Sequence, residues 1–311
     1  MKKIALFLIL LAGFFAGRAQ STEALETTPI TDYYIDNIAY GNGKIFLQGD
    51  FSWLSNEPYT GSSIVFDETL TPDTSYPKNI FGIAAIADDA GGWYVRQYST
   101  IVHVKADKTV EQLPIEADNS NIYAMTKAGN ILYFGGQFTS VNGTARNRIA
   151  AFDLSTNTLT GWNPDCNGTI YTLAVYSSTV YAGGSFTAIG GQIRNKIAAI
   201  DATTGLATAW NVGMSGSNLY HVYAIAANES TVFFGGSFFL SGFNFAARDA
   251  ATGTVNSFSP SPNARIGELL LDGNTLYVSG EYLQIAGVEK TYISAFDITT
   301  GALTSFNIIL N

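Results

Sequence analysis

Three observations predict an all-β fold made of small repeated sheets. Matched residues return at a fixed step, each repeat holds four short apolar or alternating runs divided by turn residues, and the composition favours sheet over helix. The step is plain in Asp153, Asp201, Asp249 and Asp297, each 48 residues after the last, and in Trp162, Trp210, Phe258 and Phe306 at the same spacing. Four strands in roughly 40–50 residues is the pattern of a β-propeller blade. A single such sheet cannot bury both apolar faces, so blades must stack. The sequence therefore predicts a β-propeller of six blades with four antiparallel strands each. Seven blades, or an incomplete ring in a truncated chain, are the alternatives.

The repeats set the boundaries. Ile122-Tyr-Ala, Leu132-Tyr-Phe-Gly-Gly-Gln-Phe138, Arg146-Asn-Arg-Ile-Ala-Ala-Phe-Asp153 and Trp162-Asn-Pro164 form one unit. Ile170-Tyr-Thr, Val180-Tyr-Ala-Gly-Gly-Ser-Phe186, Arg194-Asn-Lys-Ile-Ala-Ala-Ile-Asp201 and Trp210-Asn211 form the next. A third runs from Val222-Tyr223 through Gly235-Gly236 to Phe258, and a clear earlier copy spans Ile35–Asp67. A worn copy lies between Ile80 and Leu113. Blades are expected at about 33–78, 79–118, 119–166, 167–216, 217–263 and 264–311, together one domain at 33–311.

The first residues have the layout of a secretory signal peptide. Met1-Lys2-Lys3 precedes an apolar run, Ile4 to Phe15, and Ala16-Gly17-Arg18-Ala19 offers small residues for cleavage before Gln20. The run is about 12 residues, short of the roughly 20 that a membrane span needs. Residues 1–19 are therefore expected to be removed, and 20–32 to form a short lead. The destination is the periplasm, the bacterial cell surface or the medium. Without Lys2, Lys3 and Arg18, 13 basic residues face 25 acidic ones. An acidic chain has no electrostatic reason to bind nucleic acid. Cys166 is the sole cysteine, so cohesion must come from burial rather than an internal disulfide.

The repeated residues read as scaffold. Asp201 with Thr204-Gly205 predicts a tight turn after the third strand. Trp162, Trp210, Phe258 and Phe306 are expected to dock between blades. Gly136, Gly184 and Gly236 sit inside strands, where glycine marks a bulge or a close backbone approach. The string Gly-Gly-Ser-Phe-Thr, Arg-Asn-Lys-Ile-Ala-Ala-Ile-Asp, Thr-Gly, Trp-Asn at 183–211 resembles the delta-sixty type repeat of bacterial β-propellers. The likeness is good over about 119–311 and poor before it. The Ala-x-Asp-x-x-Thr-Gly…Trp run at 199–210 is also similar to the tryptophan-docking motif of quinoprotein propellers, with the Trp one residue later. The resemblance implies a propeller in an exported or surface protein and carries no catalytic residue.

A site is expected on the face bearing the loops between strands two and three and those between blades. One irregularity falls there. Trp210–Val222 takes 12 residues where Trp162–Ile170 and Phe258–Ile266 take 8, while Gly236–Asp249 takes 13 where Gly136–Asp153 takes 17. This swap predicts a pocket near Met214–His221, with Tyr220 and His221 at the rim. Arg146 and Arg194 either meet an anionic ligand on that face or pair with the next blade's carboxylates. His103 and His221 have no metal-ligand spacing, and His103, alternating with Val102 and Val104, reads as a strand-surface residue. Asp165 and Glu268 fall near the loop face without the marks of a glycosidase pair. Asp165-Cys166-Asn167-Gly168 lacks the closing glutamate of a calcium loop and reads as a turn.

No catalytic residue, metal or cofactor is therefore expected. The chain reads as a non-enzymatic binding module, monomeric, for a glycan, a peptide or a partner surface. A carbohydrate-active hydrolase or lyase, and a structural module of a larger surface protein, are the alternatives.

Overall fold

A computed structural model describes residues 35–41, 44–54, 57–67, 73, 75–77, 80, 84–118, 120–217, 219–239, 243–290 and 293–305. The expected signal peptide at 1–19, the lead at 20–32 and Phe306 lie outside the described residues. The chain divides into two compact units, 1–113 with 307–311, and 114–306.

The first unit holds sheet 1, with strands Ile35–Gly41, Lys44–Leu54 and Glu57–Asp67, and most of sheet 2, with strands Ala84–Ala87, Trp93–Gln97, Thr100–Val104 and Val110–Glu116. Consecutive strands pair antiparallel. Phe46 and Val65 from sheet 1 share a core with Trp93, Val95, Val102 and Val104 from sheet 2. The worn copy thus forms a full four-stranded sheet. Its apolar positions survive even though its Gly-Gly and Trp-Asn signatures do not.

The second unit repeats one plan. Sheet 3 has strands Ile122–Ala128, Ile131–Gly136, Ile149–Asp153 and Thr158–Leu159. Sheet 4 has Ile170–Tyr176, Thr179–Gly184 and Ile197–Asp201. Sheet 5 has His221–Ala227, Thr231–Phe239 and Phe243–Asp249, and sheet 6 has Ile266–Asp272, Thr275–Gly280 and Ile293–Asp297. In sheets 4 to 6 the fourth strand shrinks to a single bridge, Ile200 to Ala207, Arg248 to Val255 and Phe296 to Leu303.

Alternation assigns each strand two apolar faces, and in sheets 4 and 5 both faces pack on a neighbour. Tyr133, Ile149, Ala151 and Trp162 of sheet 3 meet Ile170, Val180, Ala182 and Ile200 of sheet 4. Tyr181, Ile197, Ala199 and Trp210 of sheet 4 meet Val222, Val232 and Phe234 of sheet 5. Phe233, Phe245 and Phe258 of sheet 5 meet Ile266, Val278 and Phe296 of sheet 6.

The Gly-Gly pairs make this stacking close. A Cβ on Gly135 would lie 2.5 Å from Ile170 Cγ2 of the next sheet, and one on Gly136 would lie 2.0 Å from the Asn121 carbonyl oxygen. Gly183 and Gly184 repeat the arrangement against Val222 and Thr169. The second approach accompanies a β-bulge at the start of each first strand. Ile122 pairs Gly136 and Ala124 pairs Gly135, so Tyr123 between them has no partner in the ladder. Tyr171, Tyr223 and Gly267 take the same place in sheets 4, 5 and 6. A bulge bends the strand and re-aims the side chain of the extra residue.

Candidate functional site: a tyrosine row on the loop face

The aspartate turns form as the spacing implies. Asp201 Oδ1 accepts the Thr203 and Thr204 amides at 3.0 and 2.6 Å, and Gly205 closes the turn at φ +75°. Asp249 and Asp297 repeat this with Gly253 and Gly301, and Asp153 does so with Asn157 at φ +55°. The aromatics dock on these turns. Trp162 Nε1 donates to the Asp201 carbonyl, and Trp210 Nε1 to the Asp249 carbonyl, both at 3.0 Å. Phe258 has no N–H and meets Phe296 edge-on, centroids 5.8 Å apart.

The Arg-Asn-Arg/Lys string bonds the chain's own polar groups, and for its first residue these are backbone carbonyls rather than the next blade's carboxylates. Arg146 donates to the Ala145 and Thr160 carbonyls at 2.8 and 2.7 Å. Arg194 does the same with Ile193 and Thr208 at 3.0 and 2.7 Å. Among the described residues neither meets a carboxylate. The short fourth strand leaves Thr160 and Thr208 carbonyls outside the ladder, and the guanidinium satisfies them. Asn147 and Asn195 reach across to the next inter-sheet loop, donating to Asp165 Oδ1 at 2.7 Å and the Met214 carbonyl at 2.9 Å. Arg148 and Lys196, both at φ +67°, fold back onto backbone carbonyls, Arg148 onto Gln137 and Lys196 onto Ser185 at 2.8 Å.

The two loop sets are clamped together on one face. Small hairpins, Ser140–Val141 with Thr144–Ala145, Ala188–Ile189 with Gln192–Ile193, and Gln284–Ile285 with Val288–Glu289, extend the connections between strands two and three. Each is held by a side chain that precedes a first strand. Asp118 accepts the Thr139 and Ser140 amides, Asn167 those of Thr187 and Ala188, and Asn263 those of Leu283 and Gln284.

Among the described residues sheet 5 has no such hairpin. Phe239 pairs Phe243 directly, and the loop before His221 is longer instead. Met214 is buried in the core with Trp210 and Phe238, and Tyr220 packs half-buried against the same cluster. Met214 stands four residues after Trp210, as Cys166 does after Trp162, and both positions point inward. Residues 240–242 of the neighbouring loop lie outside the described residues.

His221 alone of these candidates joins a cluster, one that the sequence reading missed. The bulged tyrosines form a row. Tyr123 and Tyr171 have centroids 5.9 Å apart, and Tyr171 and Tyr223 5.2 Å. His221 stacks on Tyr223 at 5.7 Å and meets Tyr171 edge-on at 5.8 Å. Arg265, two places before Gly267 as His221 is before Tyr223, lies over Tyr223 at 5.2 Å. Glu281 holds it with a 2.7 Å ion pair. Burial, with Lys196 nearby, pushes the His221 imidazole below its ordinary value. Tyr123 Oη accepts from Asn121 at 3.5 Å. Among the described residues the hydroxyls of Tyr171 and Tyr223 have no protein partner, and all three tyrosines are half-buried. The signal was present as Ile-Tyr, Ile-Tyr and Val-Tyr opening three successive units.

Other candidates stand apart from the row or lack a partner for chemistry. His103 is no plain surface residue. Its Nε2 lies 2.7 Å from the buried Asp88 Oδ2, and its ring stacks on Tyr94 at 4.4 Å. Asp88 also caps the turn at Ala90 and Gly92, and its carboxyl, though penalised by burial, is held below the ordinary range by these hydrogen bonds. Cys166 is a free, buried thiol pushed up to about 12 by burial. Asp165 is engaged by Asn147, and Asn167 by a hairpin. Glu268 occupies the position of Ala124 and Ala224. Water reaches Glu268, yet protein surrounds it closely enough to push its carboxyl up to about 7. A groove of about 280 Å³ beside Trp162, lined by Ile131, Ala151, Thr160, Ala202 and Thr203, offers no titratable group. Among the described residues no three His, Cys, Asp or Glu side chains are placed to hold a metal, and no helix is long and apolar enough to cross a membrane.

No protein-family model and no curated protein matches the chain. Solved structures do. The WD40 beta propeller domain of Doa1 aligns with a TM-score of 0.61 at 10% identity, over 90% of this chain and 84% of that one. A chain of the mitotic checkpoint complex aligns at 0.56 and 12% identity, over 94% and 86%. The Neurospora crassa Pan2 WD40 domain aligns at 0.52 and 10% identity, over 88% and 81%. At such identities the likeness concerns fold, and with the stacked repeats it makes this chain a β-propeller.

Proposed function

We propose that the chain is an exported, monomeric, six-bladed propeller of the delta-sixty type that binds a glycan, a peptide or a partner surface without transforming it. Cleavage near Ala19 releases it to the periplasm, the cell surface or the medium. The tyrosine row carries the reading. The first strands present Tyr123, Tyr171 and Tyr223 side by side on the loop face, with two hydroxyls that no described residue engages. Preformed aromatic surface with a few polar groups is the usual character of a binding site. The repeated fold is consistent with this role, since propellers commonly serve as interaction modules.

The test is to express the full chain in a bacterium, establish its first residue, and probe the purified product on glycan and peptide arrays. The expected result is a chain beginning at Gln20 that retains a ligand recovered chemically unchanged. Conversion of the ligand, or retention in the cytoplasm with Met1 in place, would contradict the proposal.

A further inference from the structure

We propose that the row Tyr123–Tyr171–Tyr223, closed at one end by Arg265 and Glu281, binds a neutral linear oligosaccharide lying across successive blades. This rests on the binding-propeller reading and names the ligand class for the same site. The rings touch, with centroids 5.2–5.9 Å apart and planes tilted by 43–44°, so no ligand fits between them. A caged ammonium group, which needs facing rings around it, is excluded by that contact. A ligand must instead lie along the row, crossing one ring per blade. That spacing is about the length of one hexose in a linear chain.

A pyranose has an apolar C–H face and a rim of hydroxyls. The row offers aromatic surface together with the hydroxyls of Tyr171 and Tyr223 and the edge of His221. An apolar peptide side chain would leave those hydroxyls without partners, which costs free energy when water is expelled. The end of the row carries no net charge, because Arg265 is already paired with Glu281 at 2.7 Å, and this favours neutral over acidic sugars. Arg265 and Glu281 can each still bond a hydroxyl at the chain end.

Titration of the full chain with cellohexaose, chitohexaose and mannohexaose, read by calorimetry, tests this. At least one hexaose should bind, and affinity should rise from the disaccharide to the tetraose. Tyr171→Ala should weaken binding by about tenfold or more, while Tyr171→Phe, which keeps the ring, should cost only a few-fold. Arg265→Met should weaken the tetraose more than the disaccharide. If Tyr171→Ala does not fold, the chain-length series on the unaltered protein decides, and a flat series overturns the inference. Absence of binding by all three hexaoses at millimolar concentration overturns it as well. If Tyr171→Ala then abolishes binding of an array peptide, the binding-propeller reading stands and only the glycan is wrong. A hexaose that is bound and cleaved supports the glycan site and overturns the non-catalytic reading.

Discussion

The repeat motif and the tyrosine row recur in the same sheets but differ in what their polar atoms do. In sheet 4, Arg194, Asn195, Lys196 and Asp201 each bond backbone groups, and the Nε1 of Trp162 from sheet 3 is taken up by the Asp201 carbonyl. Tyr171 in the same sheet stands off the ladder with its hydroxyl unclaimed by any described residue. A residue whose polar side chain bonds the backbone holds the fold. One held by its backbone and its ring, with the hydroxyl unengaged, leaves that polar end available. Periodicity by itself does not separate the two.

The largest effect should come from the docked aromatics. Trp210→Ala removes a buried ring and should cost about 3–5 kcal/mol in urea unfolding. If the loss matched that of an exposed substitution, the docking account would fail. Next is Gly184→Ala, whose new Cβ would sit 2.0 Å from the Thr169 carbonyl oxygen. Backbone must shift, at a cost of about 2 kcal/mol, and a neutral melt would contradict the close approach. By contrast Tyr171→Ala should lower stability by less than about 1 kcal/mol while weakening ligand binding by about tenfold or more.

Glu268 gives a smaller effect with a defined pH sign. Its folded carboxyl is pushed up to about 7 from an ordinary 4.5. Below pH 4.5 both folded and unfolded chains hold the proton and nothing is lost. As the pH rises to 7 the unfolded chain has released its proton while the folded one must keep it, so stability falls. Water reaches this side chain, so the loss is on the order of 1 kcal/mol. Glu268→Gln should therefore raise the urea midpoint at pH 8 and leave it unchanged at pH 4. An equal gain at both values would rule out titration as the cause.

Much of the scaffold was legible in the sequence because it repeats. The 48-residue step locates sheets 3 to 6, and Asp201 with Gly205 specifies its own turn chemistry. The site was not legible in the same way. Met214 and Tyr220 drew attention through an insertion, yet Met214 fills a core position that Cys166 fills one sheet earlier. Arg146 and Arg194 have the charge of ligand contacts, but the short fourth strand leaves carbonyls that claim them. Tyr123, Tyr171 and Tyr223 look like ordinary strand residues until the bulge is known, because one extra residue decides which way a side chain points. For His103 alternation assigns a face and cannot reveal that Asp88 waits on it.

Urea unfolding of Trp210→Phe beside Tyr171→Phe tests the distinction most directly. Each substitution deletes one polar group and keeps an aromatic ring. The scaffold role predicts a loss of about 1 kcal/mol for Trp210→Phe, whose Nε1 bond to Asp249 disappears, and no loss for Tyr171→Phe. Equal losses, or a larger one at Tyr171, would show that the tyrosine hydroxyl is part of the framework after all.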